Sequence, residues 1–121
     1  MLVIDGIHKL VGRKVFDREI ESVTEAISSG TPCYHIRLKD IDSKSPNFIR
    51  GSYGKELELR LYRKIRPFKG IKGYELFVMG LHSVTYLGIE PNDIKNIDDF
   101  LNLSSVCLSK AKQWCIKKQC L

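Results

Sequence analysis

Hydrophobic residues recur at Phe16, Ile20, Val23 and Ile27, at spacings of four, three and four. This is one face of a 3.6-residue period, so the spacing predicts a helix over residues 15–29. Glu19, Glu21 and Glu25 fall off that stripe, and Gly30 with Pro32 supplies a stop. The chain then changes to alternation. Over 33–39, Tyr34, Ile36 and Leu38 take one face, and His35, Arg37 and Lys39 the other, as in a half-buried strand. Over 56–65, Leu57, Leu59, Leu61 and Ile65 oppose Glu56, Glu58, Arg60, Tyr62 and Lys64, with Arg63 interrupting the apolar face. Residues 74–79 and 82–89 predict two more strands, joined tightly at Gly80. The four strands follow one another without helices, which predicts antiparallel pairing.

The last third returns to helical spacing. Pro91, Asn92 and Asp93 open a short helix with Ile94, Ile97 and Leu101 inward. Ser104 or Ser105 is expected to cap a second helix reaching about Lys118, with Cys107, Ala111, Trp114, Cys115 and Lys118 on one stripe. Residues 1–4 add a short strand. The expected fold is therefore α+β: a four-stranded antiparallel sheet covered by an N-terminal helix and two C-terminal helices. A length of 121 residues suits a single domain over 1–121. The longest irregular stretch is 40–55, and Phe48 and Ile49 within it are expected to pack back on the body.

Hydrophobic residues at 43% and charged residues at 28% exclude a disordered or collagen-like chain. No apolar run approaches the roughly 18 residues of a membrane span. The start carries no signal-peptide pattern. These features predict a soluble, unexported, cytoplasmic protein with reduced thiols. Cys33, Cys107, Cys115 and Cys120 contain no C-x-x-C pair, so neither a zinc ribbon nor a thioredoxin-like site is expected. Cys107 and Cys115 are expected to pack as small hydrophobes.

Charge changes the picture most. The net charge is +6. Arg50, Lys55, Arg60, Arg63, Lys64, Arg66, Lys69 and Lys72 are opposed within their segment only by Glu56 and Glu58, so residues 50–72 carry a charge equal to that of the whole chain. Coulomb attraction to phosphates adds where cations are close together, so this clustering suits a polyanion-binding surface. The expected nucleic-acid-binding residues are Arg60, Tyr62, Arg63, Lys64, Arg66, Lys69 and Lys72. An exposed ring at Tyr62 would stack on bases. The competing reading is an edge strand protected by charge.

Nucleophile–base motifs, a phosphate-binding Walker loop and a dinucleotide fingerprint are all absent from the sequence. Asp40, Asp42 and Lys44 form a D-x-D-x-K run, which reads as a solvated loop rather than a metal centre. No metal and no cofactor are expected. His35, Glu58, Arg60, Tyr62 and His82 are the groups a metal-independent ribonuclease would use if the sheet gathered them. In pattern, the basic, strand-rich stretch 56–89 resembles the small messenger-cleaving toxins of the RelE type, although the helical pair those proteins place before their sheet is missing.

Three functions follow. The first is a non-enzymatic module that binds nucleic acid through residues 50–72. The alternative is a protein-interaction factor, such as a small inhibitor or immunity-type protein that docks on a partner handling nucleic acid. The third is a metal-independent ribonuclease of the small-toxin type. The oligomeric state is left open.

Overall fold

The computed structural model describes residues 4–28, 30–50, 57–63 and 73–118. A short 3-10 turn, Ile7–Leu10, precedes strands β1 (Lys14–Val15), β2 (Arg18–Ser28), β3 (Thr31–Leu38), β4 (Glu58–Tyr62) and β5 (Tyr74–Val78). Next come a one-turn helix α1 (His82–Thr85), strand β6 (Leu87–Ile89), a 3-10 turn at Pro91–Asp93, and one long helix α2 (Ile97–Lys118). The six strands form an antiparallel meander in the order β1-β2-β3-β4-β5-β6. The sheet curls into a half-barrel around α2. This corrects the expected four-stranded sheet with three helices.

The region expected to be an N-terminal helix is instead a pair of strands. Phe16 and Asp17 both have left-handed backbone, with φ of 54° and 66°. They join Val15 to Arg18 as the two central residues of a tight hairpin, whose favoured geometry has positive φ at both positions. The pairing of β2 with β3 shifts between Ile20 and Ser22, so the bulge falls at Glu21. An extra residue there reverses which side chains face inward. Ile20 and Val23 are both buried, and the bulge gives them a spacing of three that imitates a helical step. Ile27 lies at the far end of β2 and is 76% exposed, which a helical core face does not allow. Gly30, with φ of 77°, turns β2 into β3 rather than stopping a helix.

The apolar faces of the two alternating segments are buried as read. Tyr34, Ile36 and Leu38 are buried on β3, and Leu57, Leu59 and Leu61 on and just before β4. Leu59 is paired with Ile36 on one side and Val78 on the other. Truncating such a side chain to alanine costs about 2–5 kcal/mol.

Residues 82–89 are not one strand. Thr85 donates its hydroxyl to the Leu81 carbonyl at 2.6 Å and accepts the Val78 amide at 3.0 Å. These two bonds tie a single helical turn to the end of β5, and β6 starts only after it. Helix α2 is likewise one element and not two. Asn96 Oδ1 accepts the Asp99 amide at 3.0 Å, and Asp99 Oδ2 accepts the Lys95 amide at 2.8 Å. These two bonds cap the start of the helix, and Asp98 and Asp99 suit its positive end. Ser104 lies inside it, buried, and its hydroxyl has no partner among the described residues. Phe100, Cys107, Leu108, Ala111 and Cys115 join the strand residues in the main core. Trp114 packs at its margin.

Ile49 is buried and Phe48 half-buried, as expected. The strand expected at residues 1–4 falls mostly outside the described residues, as do residues 64–72. Among the described residues, no helix is long and apolar enough to cross a membrane.

Candidate functional site

Alternation along β3, β4 and β5 gives the sheet a second face, turned away from α2. Cys33, Tyr62 and Phe77 form a small buried cluster there, with Ala26 against it. Direct cross-strand pairing sets His35 beside Arg60, and Arg60 beside Phe77. Three neighbouring strands thus bring polar groups from distant parts of the chain to one place.

Arg60 is the centre. Its Nε donates to Glu58 Oε2 at 3.2 Å, and its Nη1 to Ser28 Oγ at 3.4 Å. The Tyr62 hydroxyl donates to the same Ser28 oxygen at 3.5 Å. A guanidinium has five N–H donors in a fixed fork, so these two bonds leave donor capacity for a ligand. His35 Nδ1 lies 3.7 Å from Glu58 Oε1, and its Nε2 is buried without a partner among the described residues. Burial holds the His35 imidazole below its ordinary pKa; Arg60 and Arg37 add to the effect and Glu58 opposes it. Burial likewise raises the Cys33 thiol against the pull of Arg60 and Arg63.

At the end of β5 the turn at Gly80 (φ 84°) leads into α1, which packs on α2 where Cys107 meets the Thr85 carbonyl and brings His82 and Ser83 to the hollow side of the sheet. His82 Nε2 lies 2.8 Å from Glu75 Oε1. The Glu75 side chain is 0% exposed, while that of His82 is 40% exposed. The ring of Phe77 meets the His82 ring edge-on at 4.4 Å and the Tyr62 ring edge-on at 5.5 Å. Ser28, Arg60, Tyr62, Phe77, Met79, Gly80, His82 and Ser83 line an open hollow of about 470 Å³.

The seven residues expected to bind nucleic acid therefore fare differently. Arg60 lines the hollow. Tyr62 is 6% exposed, so its ring is packed under the surface and not offered for stacking, contrary to the expected exposure. Strict alternation misplaced it because this second face carries a small core of its own. Arg63 stacks over the Tyr34 ring at 4.9 Å and pairs with Glu25 at 3.4 Å. Lys64, Arg66, Lys69 and Lys72 lie outside the described residues. Of the groups named for ribonuclease chemistry, His35, Glu58, Arg60, Tyr62 and His82 all reach this face.

Glu75, Ser28, Phe77 and Ser83 were not anticipated. Glu75 had a legible signal, a lone acid inside the apolar run Tyr74–Val78, because a buried carboxylate needs a partner. No group of three or more potential metal ligands occurs among the described residues. No protein-family model matches the chain, and neither a curated protein nor a solved structure matches it.

Proposed function

We propose that the protein binds nucleic acid and takes a backbone phosphate in the hollow beside β4, with Arg60 as its principal ligand. The observation that carries this reading is a guanidinium with spare donors on the wall of an open, polar hollow. Hydroxyls of Ser28 and Ser83 and the imidazole of His82 stand around it. The sequence supports the same sign of ligand, since residues 50–72 concentrate the net positive charge next to Arg60. Tyr62 and Phe77 are buried, so the hollow favours phosphate over base. Phosphate contacts carry no sequence information, so binding is expected to be sequence-tolerant.

Retention of a single-stranded oligonucleotide at several salt concentrations tests the reading. Each phosphate neutralised contributes about −0.7 to the slope of log K against log salt on single strands. Arg60→Ala should weaken binding to all sequences alike and make the slope shallower by about that amount. No binding at low salt would end this reading and bring the protein-partner alternative forward.

A further inference from the structure

The geometry points to a phosphodiester-transfer site in the same hollow: His82 is the general base that removes the proton from an RNA 2′-hydroxyl, Glu75 positions its imidazole, and Arg60 holds the phosphate. This inference rests on the proposed nucleic-acid binding and adds a reaction to it.

The argument begins with the buried carboxylate. Glu75 is fully buried on β5 and lies 2.8 Å from His82 Nε2. With Glu75 ionised and the imidazole neutral, Nε2 carries the hydrogen and donates it to Glu75, since a carboxylate only accepts. The lone pair is then on Nδ1, which makes no hydrogen bond among the described residues. The ring lines the open hollow and is 40% exposed. Phe77 and Tyr86 meet it edge-on at 4.4 and 5.5 Å, which limits its tilt. The result is an imidazole held in orientation on the wall of the hollow, with its second nitrogen outside any hydrogen bond among the described residues. That is the arrangement a general base requires.

The charged group a phosphoryl reaction needs stands on the same wall. Arg60 is an immediate cross-strand neighbour of Phe77, the residue on which His82 rests. A preorganised guanidinium stabilises the charge that gathers on the non-bridging phosphate oxygens in the transition state. The substrate that completes this set is RNA, because it brings its own nucleophile.

The step balances with water as proton carrier. Nδ1 of His82 takes the 2′-hydroxyl proton as the 2′ oxygen bonds to the adjacent phosphorus. The bond from phosphorus to the 5′ oxygen breaks, and that oxygen takes a proton from water. The imidazolium returns its proton to the hydroxide so formed. The products are a 2′,3′-cyclic phosphate end and a 5′-hydroxyl end, with no change of oxidation state.

The test uses the full chain in a chelator, with a 5′-labelled single-stranded RNA and the same sequence in 2′-O-methyl form. The inference expects both to bind, the RNA alone to be cut, and the cut to leave a cyclic phosphate. His82→Ala and His82→Gln should each reduce cleavage about 100-fold or more, the usual scale for loss of a general base. Thermal melts show whether each variant is folded, and the product end on the wild-type protein tests the chemistry without any variant. Glu75→Gln keeps an acceptor for the imidazole but removes the charge; it should lower kcat and change the shape of the pH–rate profile, a change that a smaller folded fraction does not produce. Binding of both oligonucleotides without cleavage would overturn the inference and leave the proposed function standing. Cleavage of the 2′-O-methyl strand, a different product end, or full activity in a folded His82 variant would also overturn it. No binding of either strand would remove both.

Discussion

The guanidinium of Arg18 donates to the main-chain carbonyl of Ile49 at 2.6 Å, across 31 positions of sequence. The same side chain, 1% exposed, donates to the Lys39 carbonyl at 3.1 Å and lies 3.4 Å from Asp40 Oδ1. Burial lowers its pKa and Asp40 opposes that shift. Arg18 thereby fastens the chain after β3 to the start of β2, and Lys112 adds a bond to the Phe48 carbonyl at 3.2 Å.

Arg18→Ala should destabilise the fold by about 2–5 kcal/mol, because it leaves the buried Ile49 carbonyl and the partly buried Lys39 carbonyl unsatisfied. Asp40 is 76% exposed, and Asp40→Asn should change stability by less than about 1 kcal/mol. Denaturant melts of the two variants check the contrast. Equal effects would show that the ion pair, and not the carbonyl contacts, is the anchor.

Gly73 opens β5 with φ of 75°, and a Cβ built on it would lie 2.7 Å from the Ile89 carbonyl oxygen. Gly73→Ala should therefore lower stability by more than the roughly 1 kcal/mol that left-handed backbone alone costs a residue with a side chain. A melting temperature equal to that of the unsubstituted protein would contradict the close approach of β5 and β6.

Cys33, Cys107 and Cys115 are buried. The Cys107 thiol lies 3.4 Å from the Thr85 carbonyl, and burial pushes its pKa up to about 12. A thiol-reactive dye should label these three only on unfolding. Because the folded pKa exceeds the ordinary value of 9.0, Cys107 contributes full stability below about pH 9 and loses it as pH rises toward 12. Cys107→Ala should flatten that alkaline loss, read from melts across the range.

His35 has the opposite sign. Burial depresses its pKa below the ordinary 6.5, so the neutral ring is favoured in the folded state. The stability it contributes is present above about pH 6.5 and is lost as pH falls through the depressed value. Arg60, Arg37 and Glu58 are the charged groups acting on it. His35→Gln should reduce the acid sensitivity of the melting temperature, and an unchanged acid limb would contradict the burial of this ring.

The core faces of β3 and β4 were legible because apolar residues alternate with polar ones along them. Leu57, Leu59 and Leu61 needed nothing more. The first 29 residues were not, because two local features break that code. Phe16 and Asp17 turn the chain without the Asn-Gly or Gly-Gly signal that marks such hairpins, and the bulge at Glu21 shifts the parity of β2. Ser104 was misleading for a different reason: serine caps helices often, yet here Asn96 does so and Ser104 is buried. Arg60 and His82 could be named as candidates, but their meeting depended on the one-turn helix that Thr85 holds in place. Glu75, the partner that gives His82 its orientation, becomes readable only once Tyr74–Val78 is known to be buried along its whole length.

The most direct measurement is a backbone amide chemical-shift map of the protein titrated with single-stranded RNA. The account predicts that the largest shifts fall at Ser28, Arg60, Phe77, His82 and Ser83, and that they disappear in Arg60→Ala. Shifts confined to the solvent side of α2, or shifts around the hollow that persist unchanged without Arg60, would contradict it.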